Sequence, residues 1–310
     1  MKQDIRLLAI GRSGYLYGSI RYLLDQGYTV SGILTDEANQ EYDIKPADFE
    51  SLARSAGAAF FTAGDLGSPA LARWIRDNGI RAAISANWRF RIGPEVLGLF
   101  PWGILNFHLG NLPDYKGNAT VNWSILNGER HIYANIHRMD AELDAGDIIS
   151  RWKIPIGEDT YIADIISEAE RVAPGLFEDA LEKLGADPAY CEVKGTAEGL
   201  RCYPRLPEDS QINWNDSMEQ ISRLIRASAP PYPGSFSFLN GEKVRIWKAR
   251  PRPDRAAFLA VPGHVVEINR DAGSILVACG DGLMEIQELE YSGTRIPPAS
   301  LVKSIRSRFK

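Results

Sequence analysis

Short apolar runs recur along the first third of the chain, each followed by a segment with helical spacing. Ile5-Arg6-Leu7-Leu8-Ala9-Ile10 predicts a strand, Gly11-Arg12-Ser13-Gly14 a turn, and the residues through Leu24 a helix. Tyr28 to Leu34 predicts a second strand, Asp48 to Ala56 a helix, and Phe60-Phe61 a short strand. From Pro69 to Asn78 the spacing is helical, with Leu71, Trp74 and Ile75 on the face that would meet a core. A strand at Ile80 to Ser85, a short helix at Gly93 to Leu99 and a strand at Gly103 to His108 follow. Strands alternating with helices predict an α/β fold, a Rossmann-like doubly wound parallel sheet. In such sheets ligands gather at the carboxyl ends of the strands.

Beyond Gly117 the pattern predicts a helix at Ala119 to Leu126 and strands at Tyr133 to Met139 and Ile148 to Ile154, with a loop at Asp140 to Gly146 between them. Thr160 to Leu184 reads as a long amphipathic helix interrupted near Pro174-Gly175. Little periodicity survives from Gly185 to Pro207. Asn215-Asp216-Ser217 then caps a helix running to about Ala227, and Pro230 to Gly234 forms a rigid turn. Short strands at Ser235 to Phe238, Lys243 to Ala249, Gly263 to Asn269, Ser274 to Cys279 and Leu283 to Tyr291 are joined by turns such as Asn240-Gly241. That spacing predicts a small C-terminal antiparallel β-barrel of OB-like type. The expected organisation is a catalytic domain over 1–188, a linker over 189–207 and the barrel over 208–310.

Composition narrows the functional classes. A net charge of -5 over 310 residues offers no electrostatic footprint for nucleic acid. No apolar stretch approaches the ~18 residues of a membrane span, and Met1-Lys2-Gln3-Asp4 lacks the apolar region of a signal peptide. Cys191, Cys202 and Cys279 are odd in number and scattered, which reads as reduced thiols in a cytoplasmic protein. The histidines show no metal-ligand spacing, so no metal is expected, and His131 and His137 read as structural or surface groups. Oligomeric state stays open, with Trp247 or the barrel face as the place for a homodimer contact.

The chemistry concentrates in Gly103 to Pro113 and Leu143 to Ile149. Along the strand Asn106 and His108 lie two apart and therefore share a face. Gly110, Asn111 and Pro113 break the strand beyond them, placing this pair at a mouth. An amide beside an imidazole can hold a developing oxyanion and move a proton, and a carboxylate arriving from Asp144 would orient the imidazole and raise its proton affinity. Taken singly, Asn-x-His is a hydrogen-bonded structural pair and Asp-Ala-Gly is a turn.

Asn106-x-His108, Leu112-Pro113-x-Tyr115-x-Gly117 and Leu143-Asp144-x-Gly146-Asp147 together resemble the formyltransferases that use 10-formyltetrahydrofolate. Runs in the second half, such as Pro233 to Phe238, Val244 to Trp247 and Cys279 to Leu283, resemble that family's barrel. One departure is visible: the family carries Pro or Gly and then Ser after the histidine, where this chain has Leu109 and Gly110. The resemblance implies that Asn106, His108 and Asp144 are catalytic, with His108 acting protonated. It also implies that 10-formyltetrahydrofolate is the co-substrate, its pterin lying against the loop Asn87-Trp88-Arg89-Phe90-Arg91-Ile92 and against Asp140 to Asp144. The bland reading of Trp88 and Phe90 is that they are strand-end core residues.

The acceptor amine divides the readings. Tyr115-Lys116-Gly117, Asn122-Trp123, Asn127-Gly128-Glu129, His137-Arg138-Met139 and Asp209-Ser210 are similar to runs in sugar N-formyltransferases, notably the domain acting on UDP-4-amino-4-deoxy-arabinose. A nucleotide-linked amino sugar is then the expected substrate, with Arg12, Lys116, Asn118, Arg201 and Arg205 as candidate contacts. Methionyl-tRNA formyltransferase shares both domains, but it carries a basic loop after its second strand, and here Thr35 to Lys45 is acidic and would repel an acceptor stem. An amino acid derivative, hydrolysis of the formyl-folate by water and an idle folate-binding scaffold are further alternatives. Gly11-x-x-Gly14-x-x-x-Gly18 with Asp36 also fits a dinucleotide fingerprint, hence an NAD-dependent oxidoreductase. That reading leaves Asn106, His108 and Asp144 unexplained.

Overall fold

The computed structural model describes residues 2–38, 43–253 and 259–310. It divides into two compact units, the first made of Met1–Thr120, His131–Pro155 and Ile166–Cys202, the second of Val121–Arg130, Ile156–Ile165 and Tyr203–Lys310. In chain order the elements begin with β1 (Arg6–Gly11), α1 (Gly14–Asp25), β2 (Thr29–Thr35), α2 (Pro46–Ala56) and β3 (Ala59–Thr62). There follow α3 (Pro69–Asp77), β4 (Ala82–Ala86), α4 (Pro94–Leu97), β5 (Ile104–Leu109) and β6 (Lys116–Gly117). Next come α5 (Thr120–Leu126), β7 (His131–Arg138), β8 (Ile148–Pro155), α6 (Ile162–Ala186) and β9 (Arg201–Cys202).

The first unit is built on a 7-stranded sheet of order β3-β2-β1-β4-β5-β7-β8. Strands β1 to β5 run parallel, as the alternating pattern predicts, and their apolar runs are buried on both faces. β7 and β8 run antiparallel, because the short loop joining them leaves no room for a parallel crossover. Strand order reverses between β1 and β4, so their carboxyl ends open a crevice. Leu71 and Ile75 of α3 are buried as predicted, packing with Leu8, Ile10 and Ile104, and Ser68 accepts the Leu71 N–H to cap that helix.

The predicted break at Pro174 does not occur, for α6 runs through it unbroken. Ala169, Ala173, Phe177, Ala180 and Leu184 keep helical spacing across the proline and are fully buried. Their burial, at about 2 kcal/mol for a residue such as Phe or Leu, offsets the single hydrogen bond that Pro174 removes. The stretch predicted as a linker behaves differently up to Cys202: β9 pairs in parallel with β6, and Val193 bridges to Ile148.

The second unit adds α7 (Met218–Ser228), β10 (Ser235–Leu239), β11 (Glu242–Pro251), β12 (Val265–Asn269), β13 (Ser274–Ala278), β14 (Leu283–Tyr291), β15 (Thr294–Ile296) and α8 (Pro298–Leu301). Ser217 and Gln220 cap α7 reciprocally, as the sequence predicts. The antiparallel sheet has order β10-β11-β14-β13-β12, with β15 on β14. Its two edges are joined by the end of the chain, where Phe309 pairs with Leu239 of β10 and Arg308 pairs with His264 beside β12. This closure leaves neither edge open to a stray strand. Trp247 is half-buried: Arg295 lies 4.7 Å from its ring centroid, and its Nε1 donates to Glu290. Among the described residues, no helix is long and apolar enough to cross a membrane.

Phe309 is 1% exposed within the core of Trp214, Val244, Ile246 and Met284. Phe309→Ala should destabilise this unit by about 3–5 kcal/mol, lowering the midpoint of urea unfolding followed by tryptophan fluorescence. A midpoint matching the unmodified chain would mean that the terminal segment does not close the sheet.

Candidate active site

Sheet register assembles the site. Paired residues on neighbouring strands point to the same face, and Ser85 of β4 pairs with Asn106 of β5, which pairs with His137 of β7. Two residues further on, His108 pairs with Asn135. A polar row thus crosses the carboxyl end of an otherwise apolar sheet. Asn135 is buried and donates through Nδ2 to the carbonyls of His108 and Gly110, at 3.1 and 2.8 Å. These bonds fix the strand end that carries the imidazole.

Asp144 reaches this row from the loop between β7 and β8. Its backbone is left-handed, with φ 49°, which an Asp tolerates better than most residues. Gly146 permits the turn, since a Cβ there would overlap the Arg138 carbonyl oxygen. The carboxylate then has partners on three segments. Oδ2 accepts from the Gly117 N–H at 2.8 Å and lies 3.5 Å from His108 Nδ1, while Oδ1 lies 3.4 Å from His137 Nε2. His137 Nε2 is also 3.0 Å from Asn106 Nδ2, and its Nδ1 is 3.2 Å from the Arg138 carbonyl. His137, read from the sequence as structural or surface, is 1% exposed and links two of the three predicted catalytic groups. The signal for it was present in the alternation Tyr133 to Met139, which puts His137 on the same face as Asn135; the pairing with β5 was not.

Burial dominates the electrostatics. His108 is 8% exposed, and desolvation lowers its pKa below the ordinary value, with Asp144 opposing that and His137 adding to it. Burial thus weakens the hold of His108 on a second proton, and Asp144 works against that weakening. Its Nε2 lies 3.0 Å from the Tyr115 carbonyl, so both ring nitrogens face oxygen, and the single N–H of a neutral imidazole serves only one of them. For Asp144 burial acts upward, but His108, His137 and the Gly117 N–H together hold the carboxyl below the usual range.

Beside these groups opens a cavity of about 650 Å³ lined entirely by residues of the first unit. Asn106, His108 and Asp144 line it, with Asn87, Trp88, Arg89, Phe90, Ile92 and Asp140 of the expected folate region and Arg91 beside them. Phe90 is 48% exposed and so is no core residue, whereas Trp88 both packs on the core and faces the cavity. Of the expected acceptor contacts, Arg12, Asn118 and Arg201 line the same cavity. Lys116 does not: its ammonium is buried and donates to the Thr196 and Glu198 carbonyls. Arg205 belongs to the second unit, where it lies over the Trp123 ring and donates to the Asp209 carbonyl.

In the glycine-rich turn after β1 packing accounts for Gly11, whereas nothing lies within 4 Å of a Cβ on Gly18. A Cβ on Gly11 would overlap the Ala86 carbonyl oxygen, and one on Gly14 would meet Glu170 at 3.0 Å. Asp36, the expected ribose reader of the dinucleotide reading, is instead ion-paired with Arg89 at 2.5 Å. Of the acidic loop Thr35 to Lys45, residues 39–42 lie outside the described residues.

Sequence-family models match both parts of the chain: "Formyl transferase" over residues 26–180 and "Formyl transferase, C-terminal domain" over residues 206–306. Among solved structures, an N-formyltransferase from Helicobacter canadensis in complex with folinic acid and dTDP-3-aminofucose superposes with TM-score 0.68, 17% identity, and coverage of 91% of this chain and 99% of that one. HypX from Aquifex aeolicus in complex with tetrahydrofolic acid gives TM-score 0.63 at 18% identity, covering 97% of this chain and 47% of that chain, so this chain spans about half its length. The methionyl-tRNA formyltransferase from Clostridium thermocellum gives 0.54 at 16%, over 81% and 95%. At such identities these likenesses establish the fold.

The Asp144 carboxyl ties stability to pH. A carboxyl held low in the folded chain stabilises it above the unfolded value of about 3.9, and that contribution is lost as pH falls toward the folded value. Asp144→Asn should therefore flatten the acid-side decline of unfolding free energy, measured in urea from pH 6 down to 2. Parallel declines in both proteins would show that the carboxylate is not held by its neighbours.

Proposed function

The chain belongs to the formyl transferase family, and from that premise we propose that it carries a formyl group from 10-formyltetrahydrofolate to the primary amine of a nucleotide-linked amino sugar. The observation that carries this reading is one cavity lined both by Asn106, His108 and Asp144 and by Arg12 and Arg201. The first set suits acyl transfer to nitrogen; in the second, Arg201 offers a guanidinium of the kind that binds phosphate oxygens, while Arg12 also donates to the Asn87 and Glu37 carbonyls. The Helicobacter canadensis structure, described as binding dTDP-3-aminofucose, supports the same substrate class.

The folate region fits its expected occupant in chemical character. Trp88 presents a buried indole Nε1 without a hydrogen-bond partner among the described residues, beside the Trp88–Phe90 aromatic pair and the backbone of Asn87 to Ile92. A flat heterocycle with polar edges suits such a lining. When bound, the folate supplies a formyl carbon open to attack by an amine.

The chain's own groups then do two things. Asn106 lines the cavity with its Nδ2 3.0 Å from His137 Nε2, and its amide can stabilise charge developing on the formyl oxygen. His108 and Asp144, whose Nδ1 and Oδ2 lie 3.5 Å apart, form a unit able to take the proton that the amine must shed. His108 then acts chiefly as a proton acceptor held by Asp144, and as a donor once it has taken that proton.

The acidic loop after β2 and the net charge of -5 weigh against a tRNA acceptor. Two measurements test the reading. Asn106→Ala should cut kcat by about 10²- to 10³-fold, the usual loss for one oxyanion donor, while the folded chain keeps its folate affinity. A screen of UDP-, dTDP- and GDP-linked amino sugars with 10-formyltetrahydrofolate should give formyl transfer to at least one. Transfer to initiator methionyl-tRNA alone, or tight NAD binding without folate binding, would overturn the assignment.

A further inference from the structure

The stretch 191–202 is packed onto both loops that build the site. Its first half seats on the loop carrying Asp144. Ile148 exchanges backbone bonds with Glu192 and Val193, and the Asp147 carboxylate takes Lys194 Nζ at 2.7 Å and the Gly195 N–H at 2.9 Å. Gly195 lies so close that a Cβ would overlap the Ala145 carbonyl. The second half seats on residues 113–118. The Leu200 N–H donates to Asp114 Oδ1 at 3.0 Å, the Lys116 N–H to the Leu200 carbonyl at 3.0 Å, and the Asn118 N–H to the Cys202 carbonyl at 3.1 Å. Between the two halves the strap crosses Lys116, whose side chain passes inward and whose ammonium donates to the Thr196 and Glu198 carbonyls, each at 2.5 Å.

This ammonium is 5% exposed, and its acceptors are neutral. Burying a cation against backbone carbonyls is costly unless its donors are matched, and matching them fixes where the strap lies. Two features of the site depend on that position. The pairing of β6 with β9 sets Lys116 opposite Arg201, so the strap carries Arg201 to the cavity wall. The same pairing holds Gly117, whose N–H binds Asp144 Oδ2.

We propose that Lys116 is a positioning residue, clamping the 191–202 strap so that it presents Arg201 to the phosphates of the acceptor on one side and steadies the Asp144 loop on the other. The acceptor half of this proposal rests on the nucleotide-sugar reading; the Asp144 half does not. Lys116 thus acts on the acceptor without touching it, contrary to the direct contact suggested by its sequence position.

The test uses the full chain with Lys116→Met, Arg201→Ala, the double variant, and Asp114→Ala, which removes an exposed acceptor of the strap and serves if Lys116→Met fails to fold. UDP is the probe for the acceptor phosphates and folinic acid the probe for the folate side. Lys116→Met should weaken UDP binding about tenfold, the loss of one charge-assisted contact, and should add less than about twofold in the Arg201→Ala background, as coupled sites do. Folinic acid affinity should change little. Amide hydrogen exchange should rise at Gly117, Leu200 and Cys202, and the acid-side stability slope due to Asp144 should shrink as its Gly117 partner loosens. Additive losses in the double variant would mean that Lys116 meets the ligand itself. Unchanged exchange and an unchanged acid slope in Lys116→Met and Asp114→Ala would overturn the clamp. If the unmodified chain fails to bind UDP, the nucleotide-sugar reading and the Arg201 half fall together, while exchange and the acid slope still decide the rest.

Discussion

A buried carboxylate needs partners, and the need of Asp144 for them is the constraint to which the rest of the first unit answers. An ionised group at 9% side-chain exposure is tolerable only when its charge is met by protons held in place. Its partners come from β5 (His108), β6 (Gly117) and β7 (His137), three strands that are not consecutive in one hairpin. Removing one member of such a set costs about 3–5 kcal/mol. The left-handed turn at Asp144, Gly146 without a side chain and the antiparallel β7–β8 pair all serve to deliver that one group.

The lowered proton affinity of His108 follows from the same burial. Little water reaches His108 to stabilise an imidazolium, so a proton is poorly held there until chemistry supplies one. In the pair His108–Asp144 burial and partners thus act oppositely, lowering the proton affinity of the imidazole while the hydrogen-bonding neighbours hold the carboxyl low. Two histidines share one carboxylate, and their ring centroids stand 6.1 Å apart with nearly perpendicular planes. A second imidazole on Asp144 Oδ1 leaves Oδ2 for His108 and Gly117, so both carboxylate oxygens have partners.

What was legible in the sequence was what is local. A period of two placed Asn106 and His108 on one face; helical spacing found Leu71 and Ile75; the cap at Ser217 marked the start of α7. The parallel core and the antiparallel second unit follow from the order of such elements. What stayed hidden depends on partners far along the chain. His137 becomes part of the site only through its register with Asn106, and Lys116 is turned inward only because residues 191–202 come back to meet it. The strap has no apolar period because it binds through backbone and single polar side chains, so nothing in its composition separates it from a linker. The glycine-rich turn was ambiguous from sequence alone, and the close approach of the Ala86 carbonyl gives Gly11 a packing reason that no local pattern shows.

The pair Leu109-Gly110, where this chain departs from the family pattern, fits the same logic. Gly110 is not in a left-handed conformation, so backbone freedom does not explain it; close approach does. A Cβ there would stand 2.6 Å from His108 Nε2 and 2.5 Å from the Tyr115 carbonyl oxygen, the two atoms that face each other in this site. A serine at 110 and the present orientation of His108 are therefore incompatible, and a chain bearing serine must turn the imidazole or move Tyr115. Thr120 binds the Leu109 carbonyl and Asn135 binds the Gly110 carbonyl, so the backbone itself has little room to yield. The missing side chain is the space into which the imidazole edge fits, and it lets His108 Nε2 reach the Tyr115 carbonyl.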